Sequence, residues 1–176
     1  MTAPRLAQSD ALNDLLLYRI SHLLSVAGAP VIRLCEGRFG ITRREWRVLA
    51  LLAQEEGLLS SQLAERAQLD RARTSKAITS LVSKRLLLRE QRPSDRRQVR
   101  IVLTEEGRGI YQTLFPLVLE INQGLLLNLS ENEVRCLDGL LDALQQRAEI
   151  LSARPGLPAL PKADRRRGGR APRGLG

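Results

Sequence analysis

The chain has 176 residues, 43% of them apolar but only 3% aromatic, and carries a formal net charge of +9 with one histidine and two cysteines. That length suits one domain of ordinary size, and a core so poor in aromatics must be built from leucine, isoleucine, valine and alanine, which favours helix on helix over a sandwich. One histidine and two widely separated cysteines give no metal constellation, and no phosphate-binding glycine loop or nucleophile motif is present, so the composition excludes the common enzyme classes and points to a polyanion such as nucleic acid.

Residues 1–9 show no periodicity and are expected to form a flexible arm. From Asp10 the spacing of Leu12, Leu15, Leu16, Leu23 and Val26 predicts a helix to about Ala27, ended by Gly28-Ala29-Pro30. A shorter helix with Val31, Ile32, Leu34 and Cys35 should follow and stop between Gly37 and Gly40. Thr42 and Glu45 form a capping box that opens a third helix through Trp46, Val48, Leu49 and Leu52 to Glu56-Gly57.

Ser60 or Ser61 can cap a short helix carrying Leu63, Ala64 and Ala67. Gln68-Leu69-Asp70 interrupts the pattern, and Asp70 caps the next helix, which is the spacing of a helix-turn-helix. On that second helix Ile78, Leu81, Val82 and Arg85 fall on one side, and Arg73, Lys76, Thr79, Ser80 and Ser83 on the other. Arg73, Lys76 and Thr79 can reach base edges from the outer face. Arg71, Thr74 and Ser75 sit near the helix start, where the dipole favours phosphate.

Leu86–Leu88 and Val99–Leu103 read as two strands joined by a long loop from Arg89 to Gln98, in which Pro93 and Ser94-Asp95 are turn formers. Four of its ten residues, Arg89, Arg92, Arg96 and Arg97, are arginine, the side chain suited to a narrow minor groove. Asp95 would repel phosphate there unless it orients a neighbouring guanidinium. Thr104 should cap a long helix through Tyr111, Leu114, Phe115 and Val118, with a kink or break at Pro116. Ser130 and Glu133 form a second capping box, opening a last helix with Leu137, Leu140, Leu141, Leu144 and Ile150. From Ser152 onward proline, glycine and arginine dominate, so 152–176 should be a disordered basic tail. Within it, residues 162–176 carry six cations against Asp164 and contribute +5 of the +9.

The run Ser60-Ser61-Gln62-Leu63-Ala64-Glu65-Arg66, then Arg92-Pro93-Ser94-Asp95-Arg96-Arg97, then Leu103-Thr104-Glu105-Glu106-Gly107, resembles the MarR family of bacterial transcription regulators. The likeness extends over roughly Asp10 to Leu151. It implies a mainly α fold: dimerisation helices over 10–41, a winged helix-turn-helix over 42–107 and further dimerisation helices over 108–151. It also implies that Arg97, or else Arg96, enters the minor groove with Asp95 holding its guanidinium. Arg85 departs from the family, where glycine is common after the recognition helix, and this puts the usual left-handed ending in doubt.

The leucine-rich ends, Leu12–Leu24 and Leu114–Leu144, carry more apolar surface than one contact requires and point to a homodimer. Such a dimer would bind an inverted-repeat operator in double-stranded DNA. Family members bind small aromatic acids between the dimerisation helices and the winged domain. Here Tyr18, Ser21 and His22 lie within about a turn of one another, and Arg38, Arg43 and Trp46 are candidates to face them, giving hydrogen-bond partners, guanidinium groups and an aromatic wall. The stretch Leu15–Ala53 is also similar to MarR-type repressors of nicotinate breakdown, whose inducer is 6-hydroxynicotinate. The expected function is therefore a ligand-relieved transcription repressor without a cofactor. Lacking a membrane span or signal peptide, it should be cytoplasmic. Two alternatives remain from the residues: a redox sensor using Cys35, and an architectural protein that coats DNA by charge.

Overall fold

The computed structural model describes residues 4–92 and 95–153, with backbone only at 92 and 95–97. The remaining residues, including Pro93, Ser94 and the expected basic tail from Arg154, lie outside the described residues. The chain divides into two compact units, 1–127 and 128–176.

In the first unit a 3₁₀ turn, Leu12–Asp14, precedes helix α1, Leu16–Arg33. The expected break at Gly28-Ala29-Pro30 is absent. Proline deletes one N–H from the helical ladder, but the N–H of Leu34 still returns to the carbonyls of Pro30 and Val31. The chain then runs on as a π-helical segment, Leu34–Arg38. Gly28 serves packing rather than termination: it is buried, and a Cβ there would stand 3.1 Å from Nη1 of Arg43.

Helix α2, Arg43–Gln54, starts on the expected capping box. The Glu45 N–H donates to Thr42 Oγ1 at 3.2 Å, and the Thr42 N–H donates to Glu45 Oε2 at 2.6 Å. A two-residue strand β1, Leu58–Leu59, leads directly into α3, Ser60–Arg66. Neither serine caps α3, contrary to expectation: the N-cap is Leu59, whose N–H donates to Gln62 Oε1 at 2.8 Å. Helix α4, Arg71–Ser83, begins at Asp70, whose carboxylate accepts the Arg73 N–H at 2.7 Å.

The expected long loop after α4 is largely strand. Strand β2 spans Leu87–Arg92 and β3 spans Asp95–Leu103, so only Pro93 and Ser94 intervene. The sheet order is β1-β3-β2, all antiparallel, with Leu87 opposite Leu103 and Gln91 opposite Val99 before the register shifts. Helix α5, Glu105–Leu126, is capped by Thr104 Oγ1, which accepts the Gly107 N–H at 2.9 Å, and it passes Pro116 unbroken.

Cys35, Ile41, Val48, Leu49, Leu52, Leu63, Ile78, Leu81, Leu87, Ile101 and Leu114 form the centre of one buried core. It therefore joins residues expected in the dimerisation segment to the winged helix. Trp46 stacks on Tyr111 with ring centres 5.8 Å apart. In the second unit α6, Glu131–Ala153, opens on the Ser130–Glu133 box and runs into the start of the expected tail. Leu140, Leu141, Leu144 and Ile150 on it are exposed. No described helix is long and apolar enough to cross a membrane.

Candidate nucleic-acid interface

Both helices of the helix-turn-helix end in the same hydrogen-bonded motif. After α3 the N–H groups of Gln68 and Leu69 return to the carbonyls of Glu65 and Ala64, each at 3.0 Å, with Gln68 left-handed at φ 51°. After α4 the N–H groups of Arg85 and Leu86 return to Val82 and Leu81, each at 2.9 Å, with Arg85 at φ 60°. Each is a Schellman ending without glycine. The left-handed residue is therefore kept at Arg85 although the sequence lacks the usual glycine, because two backbone hydrogen bonds and burial of Leu86 outweigh the side chain's preference.

This frame turns one face of α4 inward and the other out. Thr74, Ala77, Ile78 and Leu81 are buried, while Arg71, Arg73, Ser75, Lys76 and Thr79 are exposed. Thr74 thus departs from its expected phosphate role. It is fully buried, and its hydroxyl donates to the Asp70 carbonyl at 3.0 Å, because it shares the i, i+3/i+4, i+7 stripe with Ala77, Ile78 and Leu81. Arg73 is exposed but tied at its base, with Nε 3.0 Å from Asp70 Oδ2.

Arg89, expected in the loop, joins this face from a strand. Arg89, on β2, donates through Nη2 to Thr79 Oγ1 at 3.0 Å. It also lines a cavity of about 220 Å³ with Ser60, Ser75, Ile78, Val99 and Ile101. Its position in the sequence held a usable signal: alternation from Leu87 places Arg89 two residues along the same side of the strand. In the wing, Arg92 pairs with Asp95 across the hairpin. The side chains of Arg92, Asp95, Arg96 and Arg97, including the expected Asp95–Arg97 contact, lie outside the described residues. Arg66 is held in an ion pair with Glu55, and Arg108 in one with Glu56.

The expected ligand residues are not gathered into one set. Tyr18 and His22 line an open cavity of about 330 Å³ with Asn13 and Arg19, and Ser21 is exposed on the same helix. Arg43 lies against Gly28, Arg38 stacks over the Phe39 ring at 5.5 Å, and Trp46 is turned into the core against Tyr111. Trp46 packs inward because it shares the buried stripe of α2 with Leu49. Of the cysteines, Cys136 is exposed and Cys35 is fully buried. Burial, reinforced by Glu36, pushes the Cys35 thiol up despite the opposing Arg43 charge, which is the reverse of what a sensing thiolate needs.

Comparison with known proteins places this arrangement. A MarR family model matches residues 39–98. The transcriptional regulator TtmR of Methylorubrum extorquens is 30% identical over 124 residues, 70% of this chain and 61% of that protein. Among solved structures, the transcriptional regulator SlyA superposes with a TM-score of 0.69 at 22% identity, covering 76% of this chain and 94% of the other. BpsR of Bordetella bronchiseptica, whose DNA binding is regulated by 6-hydroxynicotinic acid, superposes with a TM-score of 0.60 at 23% identity, covering 72% of this chain and 98% of that one. The chain spans between 53% and 63% of the length of the first four curated relatives it matches. The fold is mainly α, a winged helix-turn-helix with flanking helices, as in these structures.

Proposed function

We propose that the protein is a cytoplasmic, sequence-specific transcription repressor of the MarR type that binds an inverted-repeat operator as a homodimer and is released by a small aromatic carboxylic acid, a reading supported by the match of a MarR family model to residues 39–98. The observation that carries this reading is the division of α4: an apolar stripe fixed in the core, and Arg71, Arg73, Ser75, Lys76 and Thr79 presented together outside it. Arg73, Lys76 and Thr79 read base edges in the major groove, and Arg71 and Ser75 hold phosphates. In the wing, Arg97, or else Arg96, enters the minor groove with Asp95 orienting its guanidinium, and Arg92 adds to the positive charge there.

Dimerisation is supported by the apolar surface the single chain leaves open. On α1 Leu17 is 80% exposed and Val26 63%, and on α6 Leu140 is 56% exposed. Such surface is ordinary at an interface and unusual on a monomer. For the inducer, the cavity beside Tyr18 and His22 offers a ring and hydrogen-bond partners, with Ser21 on the same helix and the Arg19 guanidinium in its lining for the carboxylate, in place of the expected Arg38 and Arg43. The likeness to BpsR makes 6-hydroxynicotinate the first compound to test. A ligand there acts only by favouring one arrangement of the dimer over another.

The test is selection of bound duplexes from a random library at one near-physiological salt concentration, with and without 6-hydroxynicotinate. Enrichment of an inverted repeat that the ligand abolishes is the expected result. A repeat indifferent to the ligand removes this inducer, and the absence of any enriched sequence removes the operator itself, leaving a protein that binds DNA by charge.

A further inference from the structure

The C-terminal end of the recognition helix is held by a polar cluster that belongs to neither the DNA-facing set nor the ligand set. Lys84, the C-cap of α4, donates through Nζ to Glu45 Oε2 at 2.9 Å and to the Gly40 carbonyl at 2.7 Å. The same Glu45 oxygen accepts the Thr42 N–H at 2.6 Å. Glu45 is only 3% exposed, a rare setting for a carboxylate unless it is fully partnered.

Burial alone would raise the Glu45 carboxyl. Hydrogen bonds from Ser80, Lys84 and the Thr42 N–H instead hold it below the ordinary carboxylate value, so it is ionised and paired near neutral pH. Ser80 and Lys84 lie at the C-terminal end of α4, whereas Gly40 and Thr42 belong to the turn before α2 and Glu45 to the first turn of α2 itself. Gly40 itself is left-handed at φ 61°, which presents its carbonyl as a fixed acceptor.

We propose that Glu45 and Lys84 are positioning residues for DNA recognition, pinning the C-terminal half of α4 to the α1–α2 turn so that its outer face is presented in one orientation. A helix fixed only by its apolar stripe can rock about that stripe. The ion pair to Glu45 and the hydrogen bond to the Gly40 carbonyl remove this freedom at the end farthest from Asp70. The proposal rests on the DNA-binding reading and adds to it the device that sets the helix's angle. Arg38 and Arg43 flank this turn, so a ligand engaging either guanidinium would act beside the residues that hold the pin.

Loss of the pin reduces the fraction of subunits poised to bind, and the apparent Kd rises by the inverse of that fraction. If each subunit retains about a third of its poised population, a dimer with two pins loses about tenfold in operator affinity. Sequence-independent binding depends on charge and not on helix angle, so it should be unaffected by loss of the pin.

The experiment measures specific and non-specific duplex affinity across a salt series for the full chain, Lys84→Met and Glu45→Gln, with thermal melts to identify the folded temperature range. Glutamine keeps the size and the capping bond of Glu45 but not its charge, and a side chain so buried does not touch DNA. The expected result is a similar loss of operator affinity in both variants, near tenfold, with non-specific affinity and salt slope retained. The proposal is overturned if Glu45→Gln binds the operator like the unaltered chain. It is equally overturned if Lys84→Met weakens both kinds of binding and lowers the salt slope by about one, which marks a phosphate contact. An unaltered chain that prefers no sequence refutes instead the operator reading on which the proposal rests.

Discussion

Replacing Asp70 by alanine and, separately, by asparagine separates the two tasks its carboxylate performs at the start of α4. Oδ1 accepts the Arg73 N–H at 2.7 Å, which satisfies one of the helix's orphan donors, and Oδ2 lies 3.0 Å from Arg73 Nε. The cap is worth about 1 kcal/mol by the usual range for Asp to Ala exchange. The ion pair is between half-exposed side chains, so it adds at most roughly 0.5 kcal/mol. Asparagine keeps the cap and loses the charge. Asp70→Ala should therefore cost about 1 to 2 kcal/mol and Asp70→Asn less than about half of that. In a chain of this length each kcal/mol corresponds to roughly 2–4 °C in melting temperature. Urea midpoints at one fixed protein concentration would show the difference directly. Both variants release Arg73 equally, so their operator affinities should agree while their stabilities differ. Equal midpoints for alanine and asparagine would falsify the assignment of the stability to the cap.

Arg85→Gly should stabilise the protein by about 0.5–1 kcal/mol, because the φ of 60° at this position is strained for arginine and free for glycine; a lower midpoint in urea would contradict it. Gly107→Ala should destabilise by roughly 2–5 kcal/mol, since a Cβ there runs into the Leu86 carbonyl. That carbonyl cannot retreat without breaking its 3.1 Å hydrogen bond from the Thr104 N–H, and a folded variant of near-normal stability would show that this close approach is not fixed. Cys35 should resist alkylation in the native protein and react only on unfolding, as mass spectrometry of iodoacetamide-treated samples would report; native modification of Cys35 would contradict its burial. Because α6 contains no buried residue in the single chain, melting temperature should rise with protein concentration, and a concentration-independent melt would argue against an obligate dimer.

The parts of the fold that were legible in the sequence are those fixed by neighbours three or four residues apart. The boxes at Thr42–Glu45 and Ser130–Glu133, and the caps at Asp70 and Thr104, all place an acceptor beside helix N–H groups that have no other partner. Endings were less legible, because a helix end depends on backbone bonds that leave no residue signature. Gln68 and Arg85 adopt φ values that glycine would announce, and neither is glycine. Pro30 announced an end that does not come, since one missing N–H is tolerated where the following turn widens. The β1 strand is two residues long, too short for any period, and exists only because Ile101 and Arg100 lie beside it.

The candidate site divides in the same way. Outward residues of α4 follow from periodicity alone; at Thr74 two local signals conflict, closeness to the helix start and a place on the apolar stripe, and the stripe decides. The ligand candidates required knowing which face of α2 meets which helix, and Tyr111, some 65 residues beyond Trp46, decides that. Arg89 and Lys84 lie between these cases. Each is an exposed or half-exposed cation in a basic chain, indistinguishable by composition from a solvated side chain, until its partners Thr79 and Glu45 are brought across from other elements. In a chain with this many cations, charge alone does not identify which ones meet DNA. A cation committed to a buried carboxylate, as Lys84 is to Glu45, holds the helix, whereas Arg71 and Lys76 on the outer face of α4 enter no ion pair among the described residues and are the ones the proposed DNA contact would draw on.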